Sequence, residues 1–405
     1  MKLAYMTASF PYGTGETFLI SEIAALKSLG VELYVIPLYP RGSRRPDWDP
    51  DTEGVHLLDE GLCSIRVLLG AASACSREPL ASARAVFKLL SASTRHAAKN
   101  LAVVPKALWA FRELERRGCE HLHVHWAATT ASAGMVAAQL AGIPWSMSCH
   151  RWDIHENNLL AAKVHSAAFT RFISRGGQRD AGQLGAAAGR THVIPMGTWV
   201  PPFVPPLLWP SGTPFRVLCP ANLLPVKGHS YLLAACAELI AEGRDVELAL
   251  AGDGPLRGEL AAQARRAGIA GRVTFLGHLP RPELLRLYED RRVNAVVLPS
   301  LDLGGGEHEG VPVSLMEAMA FGVPVLSTRT GSIPELLPDD LGLTVPQRNA
   351  SALAERLRLL ICDEQHYRSV GAMCRTRVRE GCSVDSSAAR LLALIRRDAH
   401  EPCRL

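Results

Sequence analysis

Residues 298–336 read LPSLDLGGGEHEGVPVSLMEAMAFGVPVLSTRTGSIPEL, and this stretch decides the fold. The residues AVVLPS that open it, ending at Pro299 and Ser300, form a short apolar strand running into a Gly-rich loop with two carboxylates. The apolar spacing then predicts a helix from near Pro312 and a second short strand over residues 324–327. Strand, loop, helix and strand make one unit of a parallel α/β sheet. The loop falls at the carboxyl end of the strand, where such sheets take ligands. Seven residues separate Glu309 from Glu317. Glu309 sits just before the helix and Glu317 about one and a half turns into it, so the pair can bracket a small polar ligand. The N–H groups over 310–314 have no intrahelical partners and suit a phosphate or diphosphate.

A chain of 405 residues is too long for one core and fits two domains of about 200 each. With 48% hydrophobic and 20% charged residues it is a soluble globular chain. The net charge of +5, from 44 basic against 39 acidic residues, is mild, and no dense Lys/Arg block occurs. Nucleic acid is therefore not an expected partner, whereas an anionic membrane face or an anionic small substrate stays compatible. The ten cysteines stand singly with no CxxC pair. Those in apolar surroundings, Cys219 and Cys236 among them, read as core thiols. Residues 1–10 lack the apolar core and cleavage site of a secretory signal, and no run of 18 uncharged apolar residues occurs. The expected location is the cytoplasm, with peripheral contact at the inner face of a membrane compatible.

Residues 3–9 suggest the first strand. The turn Pro11-Tyr12-Gly13-Thr14-Gly15-Glu16-Thr17 leads into a helix with apolar residues at Phe18, Ile20, Ile23, Leu26 and Leu29. Such a turn can accept a phosphate or serve only as a tight connection, and both readings stand. Residues 60–118 are helical, with Trp109 and Phe111 as packing residues. His121, His123 and His125 alternate along a strand and share one face, which brings zinc into consideration. No Asp or Cys nearby completes a site, and a structural role is expected for at least one of His123 and His125. A strand over 145–149 delivers His150-Arg151-Trp152-Asp153, where a histidine and an aspartate can assist a reacting group or hold a structural hydrogen bond. A helix over 155–165 follows. Seven prolines between residues 195 and 214 make a connector between domains. In the second half the strands are expected at 215–219, 246–250 and 273–275, with a short helix at 283–288. The domains are then 1–205 and 206–384, with a terminal helix over 385–399 packing back on the first.

The ordered motifs Gly13-Thr14-Gly15-Glu16-Thr17-Phe18, His123-Val124-His125-Trp126, His150-Arg151-Trp152-Asp153, Lys227-Gly228, Ala251-Gly252-Asp253-Gly254-Pro255, Glu309-Gly310-Val311-Pro312 and Glu317-Ala318-Met319-Ala320 resemble a large family of retaining glycosyltransferases. That family contains sucrose and glycogen synthases and bacterial exopolysaccharide enzymes of the colanic-acid type. The resemblance covers nearly all of residues 1–396. It implies an α/β GT-B fold, GT4-like, with two Rossmann-like parallel-sheet domains facing across a cleft, the first for the acceptor and the second for a nucleotide-sugar donor. By the same resemblance Glu317 takes the ribose hydroxyls and Glu309 lies near the donor sugar. Gly310 and Val311 lend N–H groups, Lys227 neutralises phosphate oxygens, Gly13 and Gly15 approach the diphosphate, Gly277 and Leu279 lie near the base, and His150 orients the sugar. His150, Glu309 and Lys227 are thus the expected catalytic residues. No cofactor is expected beyond the donor as co-substrate, and no divalent metal.

The implied reaction transfers a hexosyl group, with retention, from a nucleoside-diphosphate sugar, UDP favoured over GDP, to a hydroxyl of a glycan or lipid-linked saccharide in exopolysaccharide or envelope glycan synthesis. A soluble secondary-metabolite acceptor such as an aminocyclitol, a nucleotide-sugar epimerase and a non-catalytic nucleotide-sugar-binding protein are the alternatives. One departure stands out: the family's arginine ahead of the lysine is here Asn222, which carries no charge. Either another base compensates, with Arg151 and Arg329 as the candidates, or donor binding is weaker. A second departure, Gly197-Thr198-Trp199 after Pro195, touches a local contact more than the reaction. The Arg- and Leu-rich region 84–117 could lie against a membrane or be an ordinary surface.

Overall fold

The computed structural model describes residues 1–13, 15–46, 48–50, 54–90, 94–186 and 189–398. Thr14 of the glycine turn and residue 399 of the expected terminal helix lie outside them. The first sheet has strands β1 (Lys2–Thr7), β2 (Glu32–Pro37), β3 (His56–Leu57), β4 (His121–His125), β5 (Trp145–Cys149), β6 (Phe169–Phe172) and β7 (Thr191–Val193), ordered β3-β2-β1-β4-β5-β6-β7. All pairings are parallel. The second has β8 (Phe215–Pro220), β9 (Val246–Ala251), β10 (Val273–Gly277), β11 (Ala295–Leu298), β12 (Val325–Thr328) and β13 (Thr344–Val345), ordered β10-β9-β8-β11-β12-β13 and again parallel.

Helices covering both faces of a parallel sheet require strands that are apolar throughout, which is why β1, β2 and β11 read as near-continuous apolar runs. Ala295, Val296, Val297 and Leu298 are all buried. In each sheet the strand order reverses once, between β1 and β4 and between β8 and β11. The crevice at the carboxyl ends of those strands is the place such a sheet offers a ligand. The loops concerned are 8–18 and 126–128 in one sheet, and 221–228 and 299–312 in the other.

The chain forms two compact units, Met1–Pro195 with Asp385–Leu405, and Met196–Val384. The proline-rich stretch therefore joins the second unit directly after Pro195, and the first does not extend to residue 205. Prolines leave carbonyls without a local donor, and arginines of the second unit supply one. Arg375 donates to Pro201 O at 2.6 Å, Arg368 to Leu207 O at 3.0 Å, and Arg291 to Pro205 O. The helix Val384–Asp398 belongs almost wholly with the first unit, where Arg390 Nη2 donates to Val193 O at 2.9 Å.

Two helices differ from their expected bounds. The segment over 155–165 is a pair, Arg151–Glu156 and Leu160–Ser166, because Asn157 and Leu159 turn left-handed between them. His150 is thereby a helix N-cap as well as a strand end. The short helix after β10 starts earlier, at Arg281–Glu289, with Pro282 in its first turn, a position where no N–H is needed. Cys219 and Cys236 are fully buried, and burial pushes both thiols up to about 12.

Candidate active site

In the second unit the switch-point loops converge on one cluster. Lys227 ends a single 3-10 turn, Pro225–Lys227, and Gly228 takes φ +66° to start the helix His229–Ala241. A Cβ on Gly228 would lie 2.0 Å from Pro299 O, so only glycine lets the lysine loop close onto the loop after β11. The hydrogen bond from Leu301 N to Val226 O, 2.8 Å, joins the same two loops. The Glu309 backbone is pinned from the other side, where its carbonyl accepts from Ser332 N at 3.1 Å. Gly331, at φ +54°, comes so close that a Cβ would meet that carbonyl at 1.9 Å. Between these clamps Lys227 Nζ lies 2.5 Å from Glu309 Oε2, and Ser300 Oγ donates to the same oxygen at 3.2 Å. Gly310 and Val311 follow directly, and their N–H groups bond to no described residue.

Glu317 lies in the helix Val313–Ala320, whose N-cap is Pro312. Its neighbours Leu315, Met316, Ala318 and Met319 are fully buried, and its own carboxylate is nearly so. Burial raises the carboxyl above its ordinary range, and the guanidinium of Arg281, Nε lying 2.5 Å from Oε1, offsets part of that rise. Arg281 was not among the expected site residues. It stands just beyond Gly277 and Leu279, the segment expected near the base, where Gly277 takes φ +68° and bridges to Gly252. Asn222 is exposed at the end of β8. The candidate compensating bases are engaged: Arg329 bonds Asp339 at 2.7 Å, and Arg151, in the first unit, lies over the ring of Trp152.

The first unit carries a buried polar chain behind β1, β4 and β5. Arg171 Nη1 bonds Glu22 Oε2 at 2.8 Å, and its other nitrogens donate to Ile194 O and Pro195 O. Tyr5 donates its hydroxyl proton to Glu22 Oε1 at 2.6 Å. That proton spent, the phenol oxygen accepts from His125 Nδ1 at 2.9 Å, so His125 carries its proton there and Nε2 is an acceptor. His150 Nε2–H then donates to it at 2.7 Å. Burial holds both imidazoles neutral, lowering His150 to about 3 and His125 well below its ordinary value. His150 lies against Trp126 and Phe18, with ring centroids at 4.3 and 5.7 Å.

His121 and His123 share Ser146 Oγ, each at 2.8 Å, and His123 Nε2 reaches Ser148 Oγ at 2.9 Å. Both ring nitrogens of His123 and of His125 are thus spent on hydrogen bonds, which is a structural role for the pair. In the glycine turn, the Glu16 carboxylate accepts from Ser9 N and Phe10 N, each at 2.7 Å, and from Trp126 Nε1 at 2.5 Å. A side chain therefore already holds the N–H groups at the end of β1. Glu16 and Trp126 both adopt left-handed φ, +55° and +83°, a strain this hydrogen bond secures. Gly13 takes φ +71° beside residue 43, and Gly15 has open space around it.

A family model described as glycosyl transferases group 1 matches residues 209–377, and one described as a glycosyl transferase 4-like domain matches residues 20–197. WcaL of Salmonella typhimurium, assigned to colanic acid biosynthesis, is 26% identical over 380 residues, 88% of this chain and 90% of that one. The amylovoran biosynthesis glycosyltransferase AmsK of Erwinia amylovora is 32% identical over 207 residues, 51% of this chain and 50% of AmsK. The chain thus spans about half of AmsK, and 43% of the WcaL of Escherichia coli. Among solved structures, a glycosyltransferase of Rickettsia africae superposes with a TM-score of 0.71 at 14% identity, covering 99% of both chains. HepE of Anabaena in complex with UDP-glucose gives 0.69 at 17% identity, covering 98% and 100%. With a glycosyl transferase 4-like domain followed by a group 1 domain on two parallel α/β sheets, the chain belongs to the two-domain glycosyltransferases of the GT-B fold.

Proposed function

We propose that this protein is a retaining hexosyltransferase that takes its sugar from a nucleoside-diphosphate donor and passes it to a saccharide hydroxyl in exopolysaccharide or envelope glycan synthesis. The observation that carries the reading is the pairing of Lys227 with Glu309 beside the free N–H groups of Gly310 and Val311, at the switch point of the second sheet. Cleavage of the anomeric C–O bond leaves negative charge on the diphosphate and positive character on the sugar. The lysine and the N–H groups suit the first, and Glu309 the second. The acceptor oxygen bonds to the anomeric carbon from the face the diphosphate leaves, and its proton passes to a leaving phosphate oxygen. The lysine and these N–H groups take the place of a divalent metal, so turnover is expected to persist in EDTA. Glu317 takes the ribose, and Gly277 and Leu279 lie near the base. His150, Gly13 and Gly15 are assigned to the donor on the family resemblance alone.

UDP is the favoured donor base, in keeping with the UDP-glucose complex of HepE. Titration calorimetry with UDP-glucose, GDP-mannose and dTDP-glucose, on wild type and Glu317→Ala, tests this. One donor should bind, with an affinity lost by at least about tenfold in the variant. Silence across the panel, or binding indifferent to the variant, would count against a donor site here.

A lipid-linked acceptor fits the surface of the first unit. The helix Val104–Arg117, inside the region open to either a membrane or an ordinary surface reading, buries Ala107, Leu108, Trp109, Phe111 and Leu114. The exposed apolar side chains come earlier, on the helices Ile65–Arg77 and Pro79–Leu90: Ile65, Leu69, Leu80 and Phe87 are each at least 65% exposed. Exposed Arg77 and Arg84 accompany them. No described helix is long and apolar enough to cross a membrane, so contact would be peripheral. Flotation with anionic vesicles should carry the protein upward, and Leu69→Glu with Phe87→Glu should cut the floated fraction about tenfold. A wild-type protein that stays at the bottom contradicts the membrane-linked reading.

A further inference from the structure

The arginine that holds Glu317 behaves unlike the structural arginines of this protein. Arg171 spends Nε, Nη1 and Nη2 on Ile194 O, Glu22 and Pro195 O, and Arg375 donates from both Nη groups to backbone carbonyls. Arg281 makes a single hydrogen bond, from Nε to Glu317 Oε1, although its side chain is only 17% exposed. Its Nη groups bond to no described residue. Glu317 is equally one-sided: Oε1 is held, while Oε2 bonds to no described residue. A guanidinium that pins one oxygen of a buried carboxylate and leaves the other oxygen open has prepared an acceptor for a ligand hydroxyl.

We propose that Arg281 is a positioning residue for the donor nucleotide, holding Glu317 through Oε1 so that Oε2 accepts from the ribose diol. This rests on the donor reading above and adds the residue that makes Glu317 competent. The ionised carboxylate is the form that accepts from a hydroxyl, and burial works against that form. Arg281 is the cation opposing it. Of the other titratable groups on elements packed against this helix, Tyr288 on the arginine's own helix is buried, while Glu283, Arg286 and Glu289 there are exposed. Cys374 and Arg375 come from the helix Glu364–Gly381, where Arg375 is committed to Ala320 O and Pro201 O. The flanking strands β11 and β12 contribute none. Without Arg281, Glu317 would therefore hold its proton to higher pH, and ribose binding would weaken on mild acidification.

The test is calorimetric titration of UDP-glucose, GDP-mannose and dTDP-glucose into wild type, Glu317→Ala, Arg281→Gln and Arg281→Lys at about pH 8 and about pH 6, where the phosphates of these sugar diesters do not titrate. Arg281→Gln keeps a hydrogen-bond donor beside the carboxylate and removes only the charge, and thermal melting at each pH confirms that it is folded. For the donor that binds wild type, Arg281→Gln should bind about tenfold more weakly at pH 8 and about three- to tenfold more weakly again at pH 6. Wild type and Arg281→Lys should change less than about twofold between the two. Wild-type affinity in Arg281→Gln, or a loss equal at both pH values, overturns the role given to Arg281 while leaving the donor site standing. Failure of wild type to bind any of the three, or undiminished binding by Glu317→Ala, overturns the donor reading and this proposal with it.

Discussion

Lys227→Ala should lower kcat by about 10²- to 10³-fold while its melting temperature stays close to that of the wild type. The lysine lies in a short surface-side turn, 22% exposed, so its removal opens no core cavity. What is lost is a charge aimed where charge develops. Before the anomeric bond breaks, the diphosphate already carries its negative charge and the lysine contributes to binding. As the bond breaks, one further negative charge gathers on the leaving oxygen, and the interaction strengthens in the transition state, which is the part that appears in kcat. The ammonium is presented in a fixed place because Glu309 Oε2 holds it at 2.5 Å, and that oxygen is itself steadied by Ser300. A rival view makes Lys227 only the counter-ion of Glu309. A double variant separates the two, since Lys227→Ala combined with Glu309→Gln removes both charges. If the lysine serves only the glutamate, the double variant is no slower than Glu309→Gln alone; if it also serves the leaving group, the double variant is slower than either single one. A kcat for Lys227→Ala within about threefold of wild type would remove the leaving-group role altogether.

The layout of both sheets could be read from the chain because it is written locally. Short apolar runs end in Pro299-Ser300 or Gly252-Asp253-Gly254, and each of these stops a strand at the place the structure stops it. The carboxylate spacing of Glu309 and Glu317 was legible for the same reason, since both belong to one turn and one helix. The contacts that complete the site join residues far apart in sequence. Arg281 reaches Glu317 across 36 positions, Tyr5 reaches His125 across 120, and Arg171 reaches Glu22 across 149. No spacing rule connects such pairs. One signal was available for the histidines. On β4 and β5 the register sets His123 opposite Ser146 and His125 opposite Ser148. Two alternating polar patterns on neighbouring buried strands can satisfy each other, and a hydroxyl ladder explains them without a metal. The Asn222 departure was visible, whereas the pairing of Arg281 with Glu317 was not, since no motif links the two. Glu16 stands within a glycine turn whose sequence gives no sign that its carboxylate closes that turn on Ser9, Phe10 and Trp126.

The largest stability effect should come from acid, and it should fall on the first unit. His121, His123 and His150 are buried without charge and lowered by burial to about 3, and burial likewise holds His125 well below its ordinary value. An unfolded chain binds a proton at each near pH 6.5. Each histidine's stabilisation is thus fully present above that value and is lost progressively as the pH falls towards the folded value. Between about pH 7 and about pH 5 this amounts to about 2 kcal/mol per histidine, or on the order of 8 for the four. Asp153 acts in the opposite sense. Burial raises it to about 7, against the N–H groups of Ala127 and His150 and the nearby Lys163, so acidification returns about 2 kcal/mol. Glu22 does not oppose the loss, because burial is outweighed there by Arg171 and Tyr5 and its carboxyl lies below the usual range. The net loss, on the order of 6 kcal/mol, is comparable with the whole stability of a domain. In the second unit His229 is the one described histidine with a lowered value, about 4, so that unit should tolerate the same change. Hydrogen exchange corrected for intrinsic rates should show β4 and β5 amides losing protection at about pH 5 while β8, β9 and β11 keep theirs. Equal protection of both units at the two pH values would mean that the buried histidines find protons, or partners for them, without unfolding.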